Sequence, residues 1–140
     1  MKLRKVLLSG VVAAILPIMP FLAGKAQATG CLDVALVLAV DASASVSRSE
    51  FALQQKGIAQ AFRDPAVLNA ISLAGRVAVA VIFWGSEGLP KPQSGWVIVD
   101  NPAGAERFAR RVESMPRLVT GETGLGAGLM AALEEFGILE

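Results

Sequence analysis

Two short apolar runs constrain the fold of this chain more than any other feature. Residues 34–40 and residues 77–84 are apolar throughout. Runs of this length are too short for typical helices and have the length of strands. Strands that are apolar on both sides occur in sheets that helices cover on both faces. We therefore predict an α/β fold in which both strands are buried on each face.

The segment between the two runs has helical character. A helix is predicted over residues 48–63, because its apolar residues recur at helical spacing. These residues are Phe51, Ile58 and Phe62. Pro65 stops this helix, since the residue before a proline avoids the helical region. The same proline suits the first position of a second, short helix that continues over residues 66–72.

The second half of the chain predicts one more strand and two more helices. Residues 85–95 are too few for a helical crossover, so a third strand over residues 96–99 runs antiparallel to the second and lies at a sheet edge. One helix follows Asn101-Pro102, and the last helix follows Thr123. The apolar face of the last helix consists of Leu125, Leu129, Ala132, Leu133 and Phe136. The order β-α-α-β-β-α-α indicates a doubly wound, Rossmann-like α/β sheet.

The N-terminus has the pattern of an export signal. Basic residues precede an apolar stretch that ends near residue 22, and Ala26-Gln27-Ala28 has the form of a signal peptidase site. We predict a signal peptide over residues 1–28, one domain over residues 29–140, and a periplasmic or secreted location. A lipoprotein anchored through Cys31 is an alternative. No other segment is long enough for a membrane span, so none is expected after cleavage.

The composition limits both partners and chemistry. The sequence has 13 Lys and Arg and 12 Asp and Glu, and four of the basic residues lie in the predicted signal. The remaining domain is slightly acidic and offers no basic patch for nucleic acid. The absence of histidine from the sequence excludes a Ser-His-Asp triad and a histidine-ligated zinc site. Cys31 is the only cysteine, and we expect it to be half-buried at the start of the first strand.

Polar residues directly follow the first strand. Asp41, Ser43 and Ser45 are spaced two apart where this strand ends and the chain turns into a helix. Ligands in open α/β sheets bind outside the carboxyl ends of the strands. One carboxylate and two hydroxyls offer only hard oxygen donors, which suit Mg²⁺ and suit Zn²⁺ or copper badly. The bound ion would keep residual positive charge, so we expect it to accept an acidic ligand.

A structural interpretation competes with this one, since small polar residues after a strand commonly form turns and caps. Ser47 and Glu50, however, already have the pattern of a capping box. The start of the following helix is therefore capped without Asp41, Ser43 or Ser45. Thr123 also has two interpretations, as the N-cap of the last helix or as a metal ligand, and the two roles are compatible.

These patterns resemble the von Willebrand factor type A domain. Its metal-ion-dependent adhesion site carries Asp-x-Ser-x-Ser after the first strand and a threonine from a later loop. Asp41, Ser43 and Ser45 match the first part of this motif, and Thr123 matches the second. Leu125 stands where a second threonine is frequent. The resemblance implies the fold of that domain and a metal site formed by the matching residues.

Within that family the chain is most similar to the exported bacterial branch known as domain of unknown function 1194. The similarity is carried by residues 36–41, 51–65 and 79–84 and covers essentially all of the mature chain. The family's site normally takes a further aspartate from the loop after the next core strand, and that strand would follow Glu140. The resemblance thus implies a domain truncated at its C-terminus, with only the N-terminal part present. Strand one would then have a bare edge, which invites self-association.

The resemblance implies a non-enzymatic, exported binding module. Asp41, Ser43, Ser45 and Thr123 would hold Mg²⁺ or Mn²⁺, and the ion would bind a carboxylate of a partner protein. An alternative is a metal-dependent hydrolase of the phosphoesterase type, in which Asp41 would need a second carboxylate nearby. The acid available for that role near this rim is Glu122. A third interpretation is a fragment without activity.

Overall fold

The computed structural model describes residues 31–138, so the predicted signal peptide over residues 1–28 lies outside the described residues. The elements are β1 (Val34–Asp41), α1 (Arg48–Ala61), α2 (Pro65–Ala74), β2 (Val77–Trp84), β3 (Val97–Val99), α3 (Pro102–Ser114) and α4 (Leu125–Phe136). The predicted order and the mixed α/β architecture are confirmed. None of the helices within residues 31–138 is long and apolar enough to cross a membrane.

The three strands form one mixed sheet in the order β1-β2-β3. β1 and β2 run parallel, with Val34 opposite Val77 and Asp41 opposite Trp84. β3 runs antiparallel to β2, as the short preceding loop predicts. In the part of the chain that the structure describes, β1 and β3 are therefore the two edges of the sheet.

The two faces of β2 contact different helices. Its odd-numbered residues belong to the main core, which includes Phe51 of α1 and Phe108 of α3. Ile82 points to the opposite face and packs with Ala131 and Ala132 of α4. All residues of β2 are buried, so the prediction of a strand covered on both faces is confirmed for β2. Helices on both faces make the architecture compatible with a Rossmann-like fold.

β1 is less buried than its sequence predicts. Leu38 packs against the main core and Val37 packs on the α4 face, so the side chains alternate between faces as expected. Val34 and Leu36, however, are 39% and 41% exposed. The prediction of complete burial is wrong for β1, and no strand within residues 31–138 pairs with its outer edge.

The face of α4 that packs against the sheet also differs from the face that the sequence predicts. Leu125, Leu129 and Leu133 are 68%, 59% and 53% exposed, so interpreting them as the core face is wrong. The buried residues are Gly128, Ala131, Ala132 and Glu135. A Cβ atom on Gly128 would lie 2.5 Å from the Trp84 ring. The helix axis lies so close to the sheet that only small side chains fit between them there.

The helix starts agree with their sequence signals. The Ser47 hydroxyl accepts a hydrogen bond from the Glu50 amide at 3.2 Å, and the Glu50 carboxylate accepts one from the Ser47 amide at 2.7 Å. This is the predicted capping box at the start of α1. Pro65 occupies the first turn of α2, with Asp64 as its N-cap. Cys31 is exposed rather than half-buried, since it precedes the first residue of β1 and lies outside the sheet.

Candidate metal centre

Three loops meet at the carboxyl ends of β1 and β2. Residues 42–47 follow β1, residues 85–88 follow β2, and residues 119–124 precede α4. The Ala44 amide donates a hydrogen bond to the Gly121 carbonyl at 2.7 Å. The Ser86 hydroxyl donates one to the Glu122 carbonyl at 3.3 Å. These bonds tie the third loop to the other two, at the position where open α/β sheets bind ligands.

Glycines allow the three loops to approach this closely. A Cβ atom on Gly85 would collide with the Val119 side chain and would lie 3.0 Å from the Thr120 carbonyl. Gly121 has a φ of +87°, a conformation that other residues rarely adopt. A Cβ atom there would also collide with the Ser86 side chain. The spacing between the loops therefore depends on glycine at both positions.

The three predicted hydroxyls converge on one another. The Ser43 hydroxyl lies 3.1 Å from that of Ser45 and 3.2 Å from that of Thr123. Ser43 and Thr123 are 80 positions apart in the chain, so only the fold brings them together. Ser43 is fully buried, whereas Ser45 and Thr123 are exposed. The cluster therefore extends from the interior to solvent.

Asp41 is joined to this cluster through the backbone. Its Oδ1 atom accepts a hydrogen bond from the Ser43 amide at 2.8 Å, which fixes the carboxylate beside the hydroxyls. Its other oxygen forms no hydrogen bond with any residue of the described range 31–138. The structure thus brings all four predicted ligands together, and an oxygen of the carboxylate remains available.

Thr123 does not cap α4. The N-cap residue is Gly124, and no side chain forms a hydrogen bond at this helix start. The prediction of Thr123 as N-cap is therefore wrong, because its hydroxyl bonds to Ser43 instead. That contact orients the Thr123 side chain toward the loop over residues 42–47 rather than toward its own helix.

Arg117 is a residue of the site that the sequence analysis missed. Its Nη2 atom donates hydrogen bonds to the backbone carbonyls of Ala42 at 3.3 Å, Ser43 at 3.0 Å and Val46 at 2.5 Å. Its guanidinium also lies 5.7 Å from the centroid of the Phe51 ring. An isolated arginine in a polar loop carries no local pattern that marks such a role. The role of Arg117 is visible only in the structure, where its side chain contacts the loop over residues 42–47.

The donor set fits a hard divalent cation. Mg²⁺ retains bound waters and needs few protein carboxylates, so one carboxylate with three hydroxyls is a chemically reasonable set for Mg²⁺ or Mn²⁺. Residues 31–138 contain no group of three or more His, Cys, Asp and Glu side chains placed to hold a metal ion. The candidate centre is of a different kind, since hydroxyls supply most of its oxygens.

The chain matches a known protein family. A family model described as "Protein of unknown function (DUF1194)" matches residues 30–138. This range includes every element of the fold and all four candidate ligands. No curated protein matches the chain.

Proposed function

The chain belongs to the DUF1194 family of proteins of unknown function, and we propose that it is a metal-dependent binding module of the von Willebrand factor A type. Asp41, Ser43, Ser45 and Thr123 hold Mg²⁺ or Mn²⁺ at the rim of the sheet. The ion then binds a carboxylate of a partner protein. The module is exported and carries out no reaction.

One observation carries this proposal. The buried Ser43 hydroxyl lies within hydrogen-bonding distance of both the Ser45 and the Thr123 hydroxyls. A turn or a helix cap would account for either serine alone, but neither accounts for a threonine from a distant loop at the same point. Thr123 also forms no capping hydrogen bond at the start of its own helix. The convergence of hydroxyls therefore supports a ligand-binding role.

Charge supports an acidic partner. Asp41 is the single carboxylate joined to the cluster among the described residues, and the hydroxyls are neutral ligands. A divalent ion held there keeps net positive charge, which favours a further anionic ligand. The exposure of Ser45 and Thr123 leaves the outer side of the cluster accessible to a carboxylate of another protein.

Metal titration by calorimetry tests the proposal. We expect Mg²⁺ and Mn²⁺ to bind weakly to the wild type, and we expect Asp41→Ala to abolish binding, because it removes the only carboxylate among the four proposed ligands. Ser47→Ala is the matched control on the same loop. It should cost about 1 kcal/mol of stability as a lost cap and should leave binding intact. Equal metal binding by wild type and Asp41→Ala would contradict the proposal.

Export is tested separately. Residues 1–28 have the pattern of a signal peptide, so the mature protein should begin at Thr29 and should be found outside the cytoplasm. N-terminal sequencing of the protein from its host decides this. A soluble cytoplasmic protein that retains Met1 would contradict export.

A further inference from the structure

A groove runs between β3 and α3, with a volume of about 900 Å³, and it shares no residue with the candidate metal centre. It lies at the β3 side of the sheet, whereas the further strand that the resemblance implies would lie beside β1. A Cβ atom on Gly104 would lie 2.6 Å from the Ile98 carbonyl, so α3 begins against the backbone of β3. The groove is therefore a cleft between a helix and a strand, and side chains have to recognise its ligand.

One wall of this groove consists of arginines. Arg107, Arg110 and Arg111 line it and are exposed. Their i, i+3, i+4 spacing places them on one face of α3. Phe108 lies on another face of the helix and is buried in the main core. Arg110 also contacts the Glu106 carboxylate at 3.5 Å. The helix thus presents three guanidinium groups to the groove.

Two of these charges are not neutralised within the described part of the chain. Arg63 forms ion pairs with Glu106 and Glu113 of α3, at 2.7 Å and 2.6 Å. Both carboxylates of the helix are therefore already bound by another residue. Arg107 and Arg111 form no ion pair within residues 31–138. Their positive charge remains available to a ligand.

Helix stability does not account for this arrangement. Like charges at i and i+4 destabilise a helix, and Arg107 and Arg111 have that spacing. The helix dipole favours Arg111, which lies in the last turn. It does not favour Arg107, which lies near the middle of α3. An anionic ligand bound by both residues would offset their repulsion.

The other wall of the groove is apolar and belongs to β3 and the residue before it. Trp96 and Ile98 line this wall and are partly buried. The Trp96 indole N–H donates a hydrogen bond to the Glu135 carbonyl at 3.0 Å, and the indole ring packs 5.6 Å from the Phe136 ring. These contacts fix the indole in place. Tryptophan and arginine are also the residues that most often dominate binding energy at protein interfaces.

We propose that this groove binds a short acidic segment of a partner protein, in which acidic and apolar residues alternate. Side chains two residues apart in an extended segment are about 6.6 Å apart on the same side. The rise between residues i and i+4 of a helix is about 6 Å. Two acidic side chains of the segment therefore match Arg107 and Arg111, and the apolar residue between them faces Trp96. This proposal does not depend on the metal site.

Other anions fit the groove less well. Nucleic acid requires an extended basic surface, whereas the Glu113 carboxylate also lines this groove and the domain as a whole is slightly acidic. A small inorganic anion would leave the apolar wall without a partner. An acidic segment with apolar residues makes use of both walls.

Fluorescence polarisation with a labelled peptide, Glu-Leu-Glu-Leu-Glu, tests the proposal on the purified protein. EDTA in every titration excludes binding through a metal ion, so failure of the proposed metal site would not affect the result. We expect the peptide to bind, and we expect salt to weaken the binding. The peptide Gln-Leu-Gln-Leu-Gln should bind at least about 10-fold more weakly, since each lost charge pair contributes up to about 5-fold. The rearranged peptide Glu-Glu-Glu-Leu-Leu should also bind more weakly.

Arginine variants test the location of the binding site. Arg107→Ala and Arg111→Ala should each weaken binding by about 2- to 5-fold. Lys56→Ala is the matched control, because it removes the same charge from an exposed position of α1 outside the groove. It should leave the affinity unchanged. The double variant Arg107→Glu/Arg111→Glu should bind Lys-Leu-Lys-Leu-Lys, which the wild type should not bind. Misfolding would not produce such a gain.

Several results would overturn the proposal. They are a wild type that does not bind the glutamate peptide, equal binding of the rearranged peptide, and an equal loss of affinity in Lys56→Ala. Failure of the double variant to bind the lysine peptide would also overturn it. A wild type that binds a phosphoserine peptide of the same pattern but not the glutamate peptide would reject a carboxylate ligand.

Discussion

The guanidinium of Arg117 donates a hydrogen bond to the backbone carbonyl of Ser43 at 3.0 Å. The same nitrogen also bonds to the carbonyls of Ala42 and Val46. These carbonyls are turned toward the arginine, while the Ser43 hydroxyl points to Ser45 and Thr123. Arg117, from a distant segment, thus shapes the loop over residues 42–47, which supplies two of the four candidate ligands.

Arg117→Ala should therefore affect both stability and metal binding. We expect the free energy of unfolding to fall by about 2 kcal/mol, because backbone carbonyls lose a charged hydrogen-bond donor. Metal affinity should fall as well. Arg117→Lys should recover only part of each, since an ammonium cannot reproduce the geometry of the guanidinium fork. Chemical denaturation and calorimetric titration measure the two effects.

Arg107→Ala is the matched control for that prediction. Arg107 forms no hydrogen bond or ion pair with the described residues, so its removal should change stability by less than about 0.5 kcal/mol. It should not change metal affinity. A folded Arg117→Ala variant with wild-type metal affinity would show that the loop holds its shape without the arginine.

Two glycine substitutions should have opposite effects. Gly128→Ala should lower the free energy of unfolding by about 1–3 kcal/mol, because the new methyl group would overlap the Trp84 ring. Gly57→Ala in α1 should raise it by about 0.5–1 kcal/mol, because nothing lies within 4 Å of the added Cβ and alanine favours the helix. Thermal melts measure both. A neutral Gly128→Ala would mean that α4 lies farther from the sheet.

Glu135 should make stability depend on pH. It is 1% exposed and its Oε1 atom has no hydrogen-bond partner among the described residues. Burial raises the pKa of this carboxyl. Between the pKa of the unfolded chain and the higher pKa of the folded one, the folded state binds more protons, so stability falls as pH rises through that range.

Glu135→Gln should remove this dependence. The amide does not ionise, so the variant should gain stability relative to wild type as pH rises from about 4 to neutral. Denaturation curves of both proteins across this range measure the difference. Parallel stability profiles for wild type and variant would indicate that the carboxyl is not desolvated as its burial implies.

Most of the local structure was predictable from neighbouring residues. The apolar runs predicted β1 and β2, Pro65 predicted the break between α1 and α2, and Ser47 with Glu50 predicted a capping box that the structure contains. Each of these signals acts within a few residues of its effect. The spacing of Asp41, Ser43 and Ser45 likewise indicated a cluster at a strand end, because parallel sheets expose that end to ligands.

The sequence by itself determined the order of the elements and the side chains that share each face. Only the tertiary structure decided which face is buried. α4 turns Gly128 and Ala132 to the sheet and leaves Leu129 exposed, because the Trp84 ring lies too close for a larger side chain. The tertiary structure also places Arg117 against the loop over residues 42–47. The periodicity of a sequence shows which residues share a face of one helix or strand. Burial and long-range hydrogen bonds depend instead on the distance between elements.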